Sequence, residues 1–150
     1  MVTEIDERDL RILEALRRDA RKSFTELSAE LSMPRTTVQE RVRRLTELGY
    51  IKCFTAIPDY VKIGRGTTAF VLVSFTPAQE ISQRELAAQI ATIDEVYEVH
   101  LVSGQWDMIL KVRASSTEEV GRLVIDRLRT MKSIARTETC FVFDTVKEVP

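Results

Sequence analysis

Only one histidine and two cysteines, Cys53 and Cys140, occur in the 150 residues. Two isolated cysteines make no disulfide framework, and with one histidine they lack the ligand spacing of a structural zinc site. His100 falls on an expected strand beside Glu98 and Val102, where a partly buried, hydrogen-bonded histidine is the expectation rather than a metal ligand. Long apolar runs are also missing; none approaches the roughly 18–20 residues needed to cross a bilayer. The start, Met1-Val2-Thr3-Glu4-Ile5-Asp6-Glu7, has no positive region ahead of an apolar core, so no secretory signal is expected. There is no P-loop, no Gly-x-Ser-x-Gly and no His/Asp/Ser set, which argues against an enzyme. The expectation is a cytoplasmic protein without metal, cofactor or membrane partner.

An excess of charge of one sign is lacking too, since the net charge is −1. Its distribution says more than its sum. Residues 1–65 hold 13 Lys and Arg against 11 Asp and Glu, and residues 66–150 hold 9 against 12. Within 33–46 there are four arginines against one glutamate, or +3 in fourteen residues. A local basic segment of this kind can meet phosphate, although a solvated helix face has the same look.

What is present is periodicity. Ile12, Leu13, Leu16 and Ala20 recur at helical spacing behind Asp6, an N-cap candidate followed by Glu7 and Asp9. Phe24, Leu27 and Leu31 predict a second helix. Val38, Val42 and Leu45 predict a third over about Pro34–Leu48, ended by Gly49 as a left-handed residue. The rhythm then changes. Tyr50–Ile57 is rich in β-formers and predicts a strand pair or ribbon, closed by Pro58-Asp59. Three helices with such a ribbon make a winged helix-turn-helix.

Gly64-Arg65-Gly66 marks the best joint between halves. Beyond it, Ala69–Phe75 reads as a strand stopped by Pro77, and a helix begins near Ser82 with Leu86, Ile90 and Ile93 inward. Val96–Val102 and Asp107–Val112 read as strands around the turn Ser103-Gly104-Gln105-Trp106. Ser116 and Glu119 form a capping box before the stripe Val120, Val124, Leu128 and Met131. Arg136–Val146 is the last expected strand. The order βαββαβ predicts a ferredoxin-like domain, so the fold class is α+β. The expected domains are 1–60, a linker at 61–68, and 69–150.

Two helices cover only one face of a four-stranded sheet. The first strand nevertheless alternates Ala69, Val71, Val73 and Phe75 with Phe70 and Leu72, apolar on both faces. The last sets Phe141 and Phe143 against Cys140, Val142 and Val146. A second copy is the simplest cover, and a homodimer also suits two helix-turn-helix units reading half-sites about one DNA turn apart.

The chain resembles the leucine-responsive regulatory protein/AsnC (feast/famine) family through Ile5-Asp6-Glu7-Arg8-Asp9-Leu10-Arg11-Ile12-Leu13, Glu26-Leu27-Ser28, Val38-Gln39-Glu40-Arg41-Val42-Arg43-Arg44-Leu45 and Gly49-Tyr50-Ile51. In the second half the resemblance runs through Ser103-Gly104-Gln105-Trp106-Asp107, and through Thr137-Glu138-Thr139 with Lys147. It implies a transcription regulator that binds double-stranded DNA, assembles as a dimer into larger discs such as octamers, and holds an amino-acid effector in its second domain. The sequence departs from the family at Leu31-Ser32-Met33-Pro34, where glycine and then a capping serine are usual. It departs again at Gln105-Trp106, where smaller or other aromatic residues are common.

On the third helix, about 100° per residue places Thr36, Glu40, Arg43 and Glu47 opposite the buried stripe. Thr36, Thr37, Gln39, Glu40 and Arg43 are the expected base readers, and Arg35, Arg41, Arg44 and Lys52 the expected phosphate contacts. Arg41 is nearest the core edge and equally suits a structural ion pair. The plain alternative for this face is a set of Glu–Arg pairs, Glu40 with Arg43 and Arg44. In the second domain Gly104 permits close backbone approach, Asp107 suits an α-ammonium group, and Trp106, next to Gln105, suits the wall of an apolar pocket or a stacking contact; the plain alternative is that Gly104 only forms the hairpin and Asp107 caps it. Thr137 and Thr139 offer hydroxyls from one strand face, and together these residues suit a zwitterionic amino acid. The rivals are a metal-responsive repressor, which needs Cys53, His100 and Cys140 to meet, and an architectural DNA-binding protein with little sequence preference.

Overall fold

A computed structural model describes residues 5–76 and 81–148. Met1–Glu4 and Pro77, the expected stop of the first strand, lie outside these residues. The chain divides into two compact units, Met1–Ile57 and Pro58–Val149.

In the first unit, α1 (Glu7–Arg18) begins at Asp6, whose carboxylate accepts the Asp9 N–H while the Asp9 carboxylate accepts the Asp6 N–H. α1 ends where Asp19 turns extended, so Ala20 falls beyond the helix and is exposed; Ala15 takes the buried place instead. α2 (Phe24–Leu31) is capped by a Ser23–Glu26 box. Ser32 then occupies the left-handed region at φ 52°, ψ 44°, the conformation glycine adopts most readily. α3 (Arg35–Glu47) has Pro34 as its N-cap, with no side-chain capping bond. Beyond it Gly49 has φ 77°, the left-handed stop read from the sequence. Ile12, Leu16, Leu27, Leu31, Val38, Val42 and Leu45 form the core, closed by Met33 from the turn.

Residues 52–59 form no strand and pair with none among the described residues. The ribbon expected over Tyr50–Ile57 is therefore not built among the described residues. β-forming side chains favour an extended backbone, but a ladder also needs a partner for its N–H and C=O groups. Phe54 and Ile57 are left 53% and 51% exposed.

In the second unit β1 (Thr67–Phe75), β2 (Val96–Leu101), β3 (Met108–Ala114) and β4 (Ile134–Phe141) form one sheet in the order β2-β3-β1-β4. Every neighbouring pair is antiparallel. With α4 (Gln83–Ile90) and α5 (Thr117–Arg122) this is the expected βαββαβ arrangement. Ala69, Val71, Val73, Leu110 and Val112 pack with Leu86, Ile90, Val120, Val124 and Leu128 on the helix side.

Three local expectations are corrected. Val120, Val124 and Leu128 recur every four residues, which overruns a 3.6-residue turn. The helix therefore widens into a π turn at Leu123–Arg127, where the Leu128 N–H donates to the Leu123 carbonyl, and a 3-10 turn at Leu128–Thr130 follows. The capping box at Ser116 is half formed: Ser116 Oγ accepts the Glu119 N–H, but the Glu119 carboxylate accepts from Ser115 instead. β4 starts two residues earlier than expected and ends at Phe141. Phe143 and Val146 thus lie outside the sheet and are fully or almost fully exposed, and only Phe141 and Cys140 divide between its faces.

After β4 the chain turns back. Glu148 ion-pairs with Lys111 and Arg113 on the face of β3 that the helices do not cover. Arg113 is nearly buried there, with its guanidinium 3.8 Å from the Tyr60 ring centre and 3.2 Å from Thr68 Oγ1. Phe70 remains 38% exposed on the same face.

Candidate functional site

α3 presents two sets of polar side chains. Arg35, Thr36, Gln39, Glu40 and Arg43 are exposed, Thr37 is half-buried, and Lys52 is exposed just after the helix. The expected Glu40 pairs do not form: Arg43 approaches Glu47 at 3.9 Å, and Glu40 has no ion pair among the described residues. The outward face is thus free to meet a partner.

Arg41 and Arg44 turn the other way. Asp9 on α1 is fully buried, and its two carboxylate oxygens accept from Arg41 Nη1 at 2.8 Å and Arg44 Nη2 at 2.6 Å. Arg41 also reaches both oxygens of Asp6 at 2.8 Å. The Asp6 carboxyl is held below its ordinary pKa, chiefly by the Asp9 backbone N–H and then by Arg41. These contacts fasten α3 to the start of α1. Asp9, read from sequence only as an acidic residue of the first helical turn, is the centre of that clamp. No pattern along the chain signals it, because its partners lie more than thirty residues away.

In the second unit the turn after β2 is closed by the Val102 N–H on the Asp107 carbonyl, with Gly104 at φ 125°. Gln105 is exposed and Trp106 half-buried. Asp107 is committed to the fold: its N–H donates to Val73, and its Oδ2 accepts the Phe75 N–H at 2.7 Å. Its carbonyl also accepts from Gln83 Nε2. Of its side chain only Oδ2 is engaged, by the Phe75 N–H; the other bonds are made by its backbone.

Val73 lies opposite Thr137, and Val71 opposite Thr139, so β1 carries the turn up to the first half of β4. Trp106 meets β4 directly, with the Arg136 guanidinium 4.3 Å from its ring centre. A cavity of about 300 Å³ beside this contact is lined by Arg129, Ile134, Ala135, Arg136 and Thr137. Thr139 is not among its lining residues. The structure therefore gathers Trp106 and Thr137 at one edge, leaves Thr139 further along the strand, and adds two arginines that sequence reasoning missed. Arg136 was legible in principle from its place beside Thr137; Arg129 lies in the 3-10 turn that ends the helix and gives no such sign.

His100 is exposed, not partly buried, and its Nε2 lies 3.0 Å from Glu98 Oε2. Among the described residues no group of three or more His, Cys, Asp or Glu could hold a metal ion. Nor is any described helix long and apolar enough to cross a membrane.

A three-helix unit that turns one polar helix outward, joined to a ferredoxin-like unit, is an arrangement suited to a helix-turn-helix with a second, regulatory domain. Residues 5–52 match the family description "Winged helix-turn-helix DNA-binding", and residues 68–150 match "Lrp/AsnC ligand binding domain". The chain belongs to the Lrp/AsnC family of transcription regulators, a family of DNA-binding proteins and not of enzymes. It is 50% identical over 148 residues to an uncharacterized HTH-type transcriptional regulator of Pyrococcus abyssi, covering 99% of each chain. Among solved structures it resembles a transcriptional regulator–L-Met complex from Neisseria meningitidis with TM-score 0.91, at 22% identity and covering 97% and 94% of the two chains. A feast or famine regulatory protein from M. tuberculosis, solved with L-methionine, gives TM-score 0.85 at 26% identity, covering 98% of this chain and all of that one.

Proposed function

We propose that this regulator reads specific DNA sequence with the outward face of α3, and that a small effector bound in the second unit modulates its DNA binding or assembly. The observation that carries the first part is the division of labour on α3. Arg41 and Arg44 are engaged by Asp6 and Asp9, whereas Thr36, Thr37, Gln39, Glu40 and Arg43 remain available to base edges. Arg35 on the helix and Lys52 just after it supply phosphate contacts, and Arg41 and Arg44 orient the helix. The effector is an amino acid or a close chemical relative, held near Gly104–Asp107 and the Thr137 end of β4. The L-methionine in the M. tuberculosis relative supports that reading.

The working species is a homodimer able to build larger assemblies such as an octamer. Phe70 and Leu72 on the face of β1 away from the helices support it, as do Phe54 and Ile57 in a segment without a partner strand. One copy of a helix with +3 local charge on a near-neutral chain gives little phosphate attraction, so two copies are needed for useful affinity.

Genome-wide binding with and without added amino acids tests the whole reading. Discrete sites that change in occupancy with one amino acid are expected. Uniform, salt-sensitive coverage with no preferred sites would instead identify an architectural DNA-binding protein.

A further inference from the structure

We propose that the cleft at the start of β4 takes a ligand with two carboxylates, an acidic amino acid or another small dicarboxylate. This rests on the reading that the second unit binds a small effector, and it names the chemical class of that effector.

Charge comes first. The cleft is lined by two guanidinium groups, Arg129 and Arg136, and by no acidic residue. Neither arginine has an acidic partner among the described residues. Elsewhere in the chain the arginines that meet carboxylates do so within the fold, as Arg41, Arg44, Arg113 and Arg127 do. A neutral aliphatic amino acid would bring its ammonium group against two cations and find only Ile134 and Ala135 for its side chain. A dicarboxylate neutralises both arginines.

Geometry agrees with charge. Arg129 Nε donates to Thr137 Oγ1 at 3.0 Å, which sets the plane of its guanidinium and leaves the terminal nitrogens open. Arg136 is held by the Trp106 ring, a contact that fixes its plane while using none of its N–H donors. Two oriented forks of this kind suit two planar carboxylates, because each can bind bidentately. The volume of about 300 Å³ is at the small end for ligand pockets and fits an acid of four or five carbons. Asp107 accepts the Phe75 N–H and is not among the residues that line the cleft, so it does not neutralise Arg129 or Arg136. Capture of Arg136 would also reach the Gly104–Asp107 turn through Trp106, giving the ligand a route to the sheet edge.

Trp106 is the only tryptophan, so its fluorescence reports this contact without a label. The full chain is titrated with L-aspartate, L-glutamate, succinate, L-leucine, L-methionine and sulfate, with calorimetry in parallel. The dicarboxylates should bind roughly tenfold or more tighter than the aliphatic amino acids and shift the Trp106 emission. Arg129→Gln and Arg136→Gln should each weaken dicarboxylate binding by about tenfold or more, with an unchanged circular dichroism spectrum and melting curve. L-glutamate against succinate reveals whether an α-ammonium group is also read. Tight binding of leucine or methionine without dicarboxylate binding overturns the inference and leaves the effector reading intact. An equal response to sulfate, or dicarboxylate binding that survives both substitutions, overturns it too. No heat with any of the twenty amino acids or with succinate removes the effector reading itself.

Discussion

Asp9 shows how much a single buried charge can organise. A carboxylate with no solvent exposure is tolerable only when its oxygens are paired, and here both are taken by arginines of α3 and one also by the Asp6 N–H. Asp9→Ala removes the shared acceptor and leaves Arg41 and Arg44 facing each other. We expect a loss of about 3 kcal/mol in chemical denaturation, the lower end for a broken buried pair because both arginines keep some access to water. Ser32 is the opposite case, a residue tolerated against its own preference. Its left-handed backbone disfavours any side chain, so Ser32→Gly should stabilise the first unit by up to about 1 kcal/mol, read from the same unfolding curves. An unchanged or lower midpoint would mean that the added freedom of the unfolded chain outweighs the relieved strain.

At the level of elements, α3 carries recognition on one side and attachment on the other. Arg43 is on the outward side, with only a long contact to Glu47. Arg43→Ala should weaken binding to a cognate site by about 1–3 kcal/mol and relax preference at one base position, measured by mobility shift across single-base operator variants. Equal binding to all variants before and after the change would remove Arg43 from the reading set. The segment after β4 depends on a different pair of charges. Hydrogen bonding to Lys111, then to Arg113, lowers the Glu148 pKa below the usual carboxylate value. Its folded pKa is depressed, so the attachment is fully present above about pH 4.3, the ordinary value for glutamate, and is lost as pH falls through the lower folded value. Amide exchange over residues 142–148 should therefore speed up below that pH, and Glu148→Gln should show the faster exchange already at neutral pH.

For the whole molecule the open question of cover on the sheet becomes a question of assembly. Phe70, with Leu72 beside it on β1, faces away from the helices, and the charged cluster around Lys111, Arg113 and Glu148 adjoins it. If the proposed dimer buries this face, Phe70→Glu should weaken self-association by roughly tenfold or more in sedimentation velocity. The fold of the second unit should survive, since Phe70 is not part of its core. A variant that sediments like the parent chain would send the dimer contact elsewhere, with the exposed Phe54 and Ile57 next to be tested.

Periodicity alone determined the three helices, the βαββαβ order and the outward face of α3, because a side chain's direction within a helix or strand follows from local geometry. Val38, Val42 and Leu45 had to point inward, and Thr36, Glu40 and Arg43 therefore outward. Caps were legible for the same reason, as at Asp6 and Ser82, since a cap acts over three residues. The end of β4 was less so, because apolar residues continue through Phe143 and Val146, whereas the paired register with β1 ends at Ala69 opposite Phe141, followed by one further bond from the Val142 N–H to the Thr68 carbonyl. Which arginine reads and which one anchors was decided only by the tertiary structure. Arg41, Arg43 and Arg44 are chemically alike and adjacent, and only the packing of α1 brings Asp9 under two of them. The cleft was decided there too: the pairing of β1 with β3 and β4 brings the Trp106 turn to Arg136, while the turn before β4 folds Arg129 back onto Thr137.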